Sequence, residues 1–394
     1  MEPDARSERD EWGSFGKHAA LALAYRLAAR PAESVSDAPN RILVVDLDNI
    51  GDVLLATPAI RALRRCFPEA VLDVLVTDYA APVLRGNSHV DSILTCGKGI
   101  VAASLWERAT LTWRIRRRQY DLGVVLETHW GYAGFAELLL ALAGVPIRIG
   151  RDLGKHRELL TAAVAVRQQH WIDTYLEVVA LAGAKPDGDG LDFPISTDDE
   201  AEAAGWCREG GLAGLAPIVM FPGGNQHLIS RRWGIDGFAA VGDALARSWR
   251  APVVVIGGPA DTALAETVVA RMSIPARSAA GALSLGATGA LLRQCRLFIT
   301  NDSGPLHIAA AVRAPIVVIL GPSDPLVFGP RDTLHEIVRV PLPCSPCIRV
   351  GDFPDCPIIP RELCLQAVTP AMVLEAAERL LARTARTTGA SRGD

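Results

Sequence analysis

Short aliphatic runs separated by helix-length segments recur along this 394-residue chain, and they constrain its fold more than any other feature. The stretches 41–47 (RILVVDL), 70–77 (AVLDVLVT), 120–127 (YDLGVVLE) and 147–150 (IRIG) carry little polar alternation, and helical patterns lie between them. Strands of this kind are buried on both faces, which happens in a parallel sheet covered by helices on each side. A second set follows at 216–221 (APIVMF), 251–258 (APVVVIGG), 295–300 (CRLFIT) and 314–321 (APIVVILG), with the same architecture but no repeat of sequence. The Gly-, Pro- and acid-rich stretch 185–206 between the sets reads as a domain junction. The expectation is an α/β protein of two facing Rossmann-like domains with a cleft between them. The first domain is placed at 41–195 and the second at 196–368, after an extension at 1–40 and before a final helix and tail at 369–394.

Composition narrows the partners. A formal charge of -4 and a pI near 6.1 argue against nucleic acid. The basic run RIRRRQY (114–120) reads as a solvated helix end. The sequence has no apolar run of about 18 residues, the length needed to cross a bilayer. The Ala/Leu-rich stretch 16–30 has no small-residue cleavage pattern, so it is an amphipathic helix, either packed on the body or lying in a membrane interface. Cys66, Cys96, Cys207 and Cys295 are scattered and read as reduced thiols of a cytoplasmic chain, with peripheral contact to the inner membrane as a variant of that location.

Polar loops follow four of the aliphatic runs. In VDLDNIGDVLLATPA (45–59), Gly51 and Asp52 open a helix, and Asp52 is either a helix cap or a base held over the cleft. In FPGGNQHLISRRWG (221–234), Gly223 and Gly224 let backbone N–H groups approach a ligand, and Arg231 and Arg232 suit diphosphate oxygens. Gly257 and Gly258 end another strand, without a dinucleotide or P-loop fingerprint. In TNDSGPLHIAAA (300–311), Asp302, Ser303 and Gly304 stand at a helix N-terminus that favours an anion. Asp302 itself is a hydrogen-bond acceptor for a sugar hydroxyl or a cap. His307 lies one turn into that helix and by itself reads as structural. Together these loops suggest a diphosphate site in the second domain and a lone carboxylate in the first. Sugar transfer from a nucleotide needs that pair, a base for the acceptor hydroxyl and positive charge or N–H dipoles for the leaving diphosphate.

The stretches ILVVDLDNIGDVLLATPAIRALRRCFPEAVLDVLV, FPGGN…SRRW, IGGPAD and NDSGPLHIAAAVRAPIVVILGPSDP resemble, in the same order, those of the ADP-heptose:lipopolysaccharide heptosyltransferases, glycosyltransferase family 9. The likeness spans roughly residues 41–384. It implies a GT-B fold and an inverting, metal-independent transfer of heptose from an ADP-heptose type donor to a lipopolysaccharide core hydroxyl. A protein or small glycoside acceptor, or epimerase chemistry on the same architecture, are the alternatives. The resemblance puts the catalytic aspartate on Asp52 and donor contacts on Arg231, Asp302, Ser303, Gly304 and His307. It also implies a final helix, capped by Thr369 and Pro370, that crosses back onto the first domain. The chain departs from the family pattern at Asp48 and Asn49, where small hydroxyl residues are usual, at Phe221, where histidine precedes Pro-Gly, at Arg231, where lysine is common, and at Gly234, where proline is usual.

The tail contains Cys344, Cys347, Cys356 and Cys364 as C-x2-C-x8-C-x7-C. Four thiols so spaced suit a structural zinc or iron site, with no part in catalysis and no cofactor required there. The second pair lacks the tight spacing of a zinc ribbon, and the family this chain resembles often carries such cysteines in its tail without a metal role.

Overall fold

The computed structural model describes residues 38–97, 99–100, 103–128, 134–154, 157–224, 231–350, 356 and 362–390. The extension 1–37, including the stretch 16–30, lies outside the described residues.

Two parallel six-stranded sheets form the body. The first contains β1 (Arg41–Asp46), β2 (Val71–Thr77), β3 (Ser92–Cys96), β4 (Leu122–Val125), β5 (Ile147–Asp152) and β6 (Ala162–Ala165), in the order β3-β2-β1-β4-β5-β6. The second contains β7 (Ile218–Phe221), β8 (Val253–Val255), β9 (Ala276–Ser278), β10 (Leu297–Asn301), β11 (Ile316–Ile319) and β12 (His335–Val338), in the order β12-β11-β10-β7-β8-β9. Read from its own first strand, the second order equals the first. In each sheet the chain reverses direction of growth beside its first strand, between β1 and β4 and between β7 and β10, which opens a crevice at the C-terminal strand ends. Register fixes those neighbours: Ile42 pairs with Leu72 and Leu122, and Phe298 with Val219 and Ile316.

The central strands are buried on both faces, as their unbroken aliphatic runs require; Ile42, Leu43, Val44 and Val45 are fully buried, as are Ile316 to Ile319. The segment expected as one helix from residue 52 is two, Ile50–Leu55 and Thr57–Cys66. Pro58 has no N–H to offer the Leu54 carbonyl, and the Thr57 hydroxyl donates to that carbonyl instead at 2.7 Å. In the junction, Arg61 ties Asp187, Asp192 and the Gly190 carbonyl to the first domain. Ser196 then caps the Thr197–Glu209 helix, which lies on the Leu285–Gln294 helix of the second sheet.

The final helix, Pro370–Ala390, corrects one expectation. It packs on β11, β12 and the Ile235–Trp249 helix rather than returning to the first domain. Its stripe Val373, Ala376, Ala377, Leu380 and Leu381 is buried in the core of the second sheet. Arg379 and Arg383 reach Glu336 of β12, and the Trp233 indole donates to the Val368 carbonyl at 2.9 Å just before the helix begins. Helical spacing established the apolar stripe but did not specify which of two apolar surfaces it meets.

The domains are joined by an apolar cluster that includes residues of both and by polar contacts. His170 Nε2 lies 2.8 Å from the Gly329 carbonyl, and its Nδ1 accepts from the Ile172 N–H at 3.2 Å. That pairing places the proton on Nε2. Arg331 grips Asp173 through two bonds of 2.7 Å. Gln168 exchanges two hydrogen bonds with the backbone of Val350.

Candidate active site

The two crevices face each other. β1 runs into the Ile50–Leu55 helix, and β10 runs into the Gly304–Ala311 helix, so both helix N-termini arise at the C-terminal edges of their sheets. They meet almost backbone to backbone. A Cβ added to Gly304 would lie 3.4 Å from Ile50 Cγ2 and 3.7 Å from the Gly51 nitrogen. A Cβ added to Gly51 would lie 2.8 Å from His307 Cδ2 and 3.4 Å from Gly304 Cα. Glycine at 51 is therefore a condition for the domains to approach this closely, whereas a methyl on Gly304 would just reach van der Waals contact.

Asp52 is third in its helix, and one carboxylate oxygen accepts from the Asn49 N–H at 3.2 Å, in a capping box. The other oxygen lies 3.2 Å from the Thr128 hydroxyl, which is also 2.8 Å from Asp48 Oδ2. The Thr128 N–H donates to that same Asp48 oxygen. Asp52 is thus a cap, as its position alone suggests, and it is also fixed from β4 across the crevice mouth. Behind it stands a group of buried acids. Burial, reinforced by Asp48 and Asp52, holds Asp46 well above the usual carboxylate range, and burial with Asp48, Glu137 and Asp46 does the same to Glu127. Arg151, buried among them and stacked on Trp171 at 4.6 Å, supplies the cation, and it donates to the Glu127 carbonyl.

On the opposite wall, Arg231 Nη1 pairs with Asp302 Oδ2 at 3.2 Å, and the guanidinium carbon of Arg231 lies 5.6 Å from the Phe328 ring centroid. Asp302 also accepts from the Ser323 hydroxyl. It does not cap the helix that follows; Ser303 is at that position, with its hydroxyl 3.1 Å from the Asn301 carbonyl. Arg232 donates to the Gly224 carbonyl at 2.8 Å. Gly223 is held against the Phe221 ring and Asp261, and Gly257 and Gly258 wrap the Asp261 side chain, to which the Gly258 N–H donates at 3.0 Å. His307 is buried, and burial lowers it to about 4, against the pull of Asp302, so its ring is neutral.

Asp52, Gly51, Gly304, His307, Asp302 and Arg231 thus form one neighbourhood, with Gly223, Gly224 and Arg232 beside it. Residues 225–230 of the arginine loop lie outside the described residues. Asn301 organises the second wall and was not legible as such in the sequence. Fully buried, it donates to the Pro222 and Gly223 carbonyls at 2.9 and 3.0 Å and accepts from the Trp233 N–H at 3.0 Å. Its one signal is an amide side chain at the end of a fully buried strand, where every polar atom needs a partner. Thr128 gave a weaker signal still.

The cysteines of the tail are near one another. Burial and the thiols of Cys347, Cys356 and Cys344 push Cys364 up to about 11. Among the described residues no group of three or more His, Cys, Asp or Glu is placed to hold a metal ion. Cys356 lies between 351–355 and 357–361, which are outside the described residues.

Two Rossmann-type halves, with a carboxylate on one wall of the cleft and glycine- and arginine-bearing loops on the other, have the architecture of a GT-B glycosyltransferase. The chain belongs to glycosyltransferase family 9 (heptosyltransferase), whose profile matches residues 108–356. It is 25% identical over 311 residues to lipopolysaccharide heptosyltransferase 2 of Escherichia coli strain K12, covering 76% of this chain and 88% of that one. A glycosyltransferase family 9 structure from Veillonella parvula superposes with a TM-score of 0.73 at 25% identity, covering 87% and 98% of the two chains. The Escherichia coli ADP-heptose lipopolysaccharide heptosyltransferase II structure matches in fold, with a TM-score of 0.69 at 22% identity and coverage of 87% and 99%.

Proposed function

We propose that this enzyme transfers heptose from ADP-heptose to a hydroxyl of a lipopolysaccharide core, with inversion at the anomeric carbon. The observation that supports the reading is the approach of Gly51 to Gly304, which brings the helix carrying Asp52 in one domain against the start of the Gly304–Ala311 helix of the other. The acceptor oxygen attacks the anomeric carbon and gives its proton to Asp52, while the bond from that carbon to the diphosphate breaks. The departing ADP takes up the electron pair. Its charge is met by the N-terminal donors of the Gly304–Ala311 helix and by Arg231 and Arg232. Arg231 is pre-oriented by Asp302 and is released in part to the diphosphate when donor enters. Attack from the Asp52 wall, opposite the diphosphate wall, produces the inverted product. The curated relatives named as lipopolysaccharide heptosyltransferases support the donor and acceptor classes.

The test is incubation with ADP-heptose and a heptose-deficient core acceptor, with ADP release and the mass of the acceptor as readouts. The acceptor gains one heptose, and Asp52→Asn lowers turnover by about a hundredfold or more while retaining donor binding. Equal ADP release with and without acceptor, or wild-type turnover in Asp52→Asn, contradicts the reading.

A further inference from the structure

The Leu105–Arg116 helix is seated on the first domain by a narrow edge, with Leu111 and Ile115 its buried residues. Leu105 and Trp106 are each 79% exposed, and Trp113 is 55% exposed. Trp106 and Trp113 are seven residues apart, so they stand on one face, two turns from each other. The last turn and the residues beyond it are basic, with Arg114, Arg116 and Arg117 all exposed. The Arg117 guanidinium lies 4.8 Å from the Trp113 ring centroid. The one acid of the helix, Glu107, is turned back into the cap, bonded to the Ser104 hydroxyl at 2.8 Å and to its N–H at 2.9 Å. Large aromatic side chains left in water beside exposed cations mark an interaction surface rather than ordinary solvated helix.

We propose that this face docks on an anionic bilayer surface, with Trp106 and Trp113 at headgroup depth and the arginines on lipid phosphates. Charge chooses the occupant, because a dense sheet of phosphates matches a helix that carries a single acid and ends in the exposed Arg114, Arg116 and Arg117, and an amphipathic tryptophan ring suits the interface. Topology makes the placement useful. The helix follows β3, and in a parallel sheet each strand-to-helix connection lies at the C-terminal edge, the edge from which the Asp52 helix also leaves β1. Leu105 and Trp106 therefore sit on the same rim as the cleft mouth. On the reading of the acceptor given above, which this use of the surface rests on, docking presents the cleft to a glycan rooted in the membrane. Among the described residues no helix is long and apolar enough to cross a membrane, so contact is with the surface.

The experiment is co-sedimentation of the full chain with phosphatidylglycerol-containing vesicles and with pure phosphatidylcholine vesicles, in the absence of donor and acceptor. Binding is thus read separately from the transfer reaction. Wild type partitions to the anionic vesicles and leaves them at high salt. The double variants Trp106→Ala/Trp113→Ala and Arg116→Glu/Arg117→Glu lose partitioning by at least about tenfold, with unchanged melting and unchanged turnover on a lipid-free core acceptor. Equal partitioning to both vesicle types overturns the proposal. So do variants that bind like wild type, which would assign binding to another segment. A variant that melts lower, or a wild-type dimer that the tryptophan variant dissociates, would show that protein covers this face and would overturn it as well.

Discussion

Replacing Gly51 by alanine tests whether the close approach of the two helix starts holds the site together. Two effects oppose each other. Alanine is the better helix residue by about 0.5–1 kcal/mol, so a solvated Gly51 would gain stability from the change. The new methyl, however, lies 2.8 Å from His307 Cδ2 and 3.4 Å from Gly304 Cα. An ordinary carbon contact is about 3.5–4.0 Å, so the neighbour must yield by about 0.7 Å or more. His307 is a ring only 5% exposed on a buried helix and has no open side to turn to. Overpacking of this kind costs about 1–3 kcal/mol, which exceeds the helix gain. The expected result is a loss of about 1–2 kcal/mol in stability, read as lower thermal melting. A parting of the walls by about 1 Å lowers turnover by about a hundredfold. The control is Gly51→Ala in a His307→Ala background, where the ring is gone. Melting of the four proteins forms a cycle, and the double variant is more stable than the sum of the singles by about 1 kcal/mol or more. A Gly51→Ala enzyme that melts at or above wild type with full turnover, or a cycle with no coupling, refutes the reasoning.

Other consequences are open to measurement. His170 is lowered to about 4, chiefly by burial, from an ordinary value of 6.5. A depressed base stabilises the fold above 6.5 and loses that contribution as pH falls towards 4, so melting declines across this window and His170→Gln flattens the decline. Glu127 is raised, so its contribution is favourable at low pH and is lost as pH rises above 4.5; Glu127→Gln should gain melting temperature relative to wild type more at pH 8 than at pH 5, and an equal difference at both would count against a costly buried carboxylate. Leu380→Ala removes a fully buried side chain and should cost about 2–5 kcal/mol, with hydrogen exchange rising in β11 and β12 before the first sheet. Turnover should survive chelation of divalent ions if, as proposed, arginines and helix donors meet the diphosphate; loss reversed by added Mg²⁺ would contradict this, and slow unfolding in chelator would point to the tail cysteines.

What the sequence disclosed follows the physics of burial. Every central strand was legible, because burial on two faces leaves a run such as ILVV or IVVI with no polar interruption. The strands that were missed, β3, β6, β9 and β12, are the four edges of the two sheets. An edge strand has a partner on one side only, and sequences such as ARS or HEIV carry no run to read. The loops at strand ends were found because glycines and charges break an apolar pattern. Asp52 was found this way, and so were Arg231 and the Asp302–Gly304 turn. Thr128 and Asn301 were not, since their roles depend on pairings 76 and 68 residues away in the chain. The last helix shows the same limit, since its apolar face is written in the sequence and the surface it covers is not.

Backbone touching backbone at Gly51 and Gly304 leaves the two walls of the cleft free to change separately. On the proposed function, the described groups assigned to the activated sugar hang from the half built on β7 to β12, and Asp52 and its supports from the half built on β1 to β6. Substitutions that reshape one wall need no matching substitution opposite, provided the two glycines, the imidazole beside them and the side-chain pairs between the halves are kept. A lineage can then acquire a new acceptor by rebuilding one half while inheriting its donor chemistry intact. A chimera cut in the 185–195 junction, carrying the first half of one enzyme and the second half of another, has that small gauge to respect together with the Arg331–Asp173, His170–Gly329 and Gln168–Val350 contacts and the ties of Arg61 to the junction.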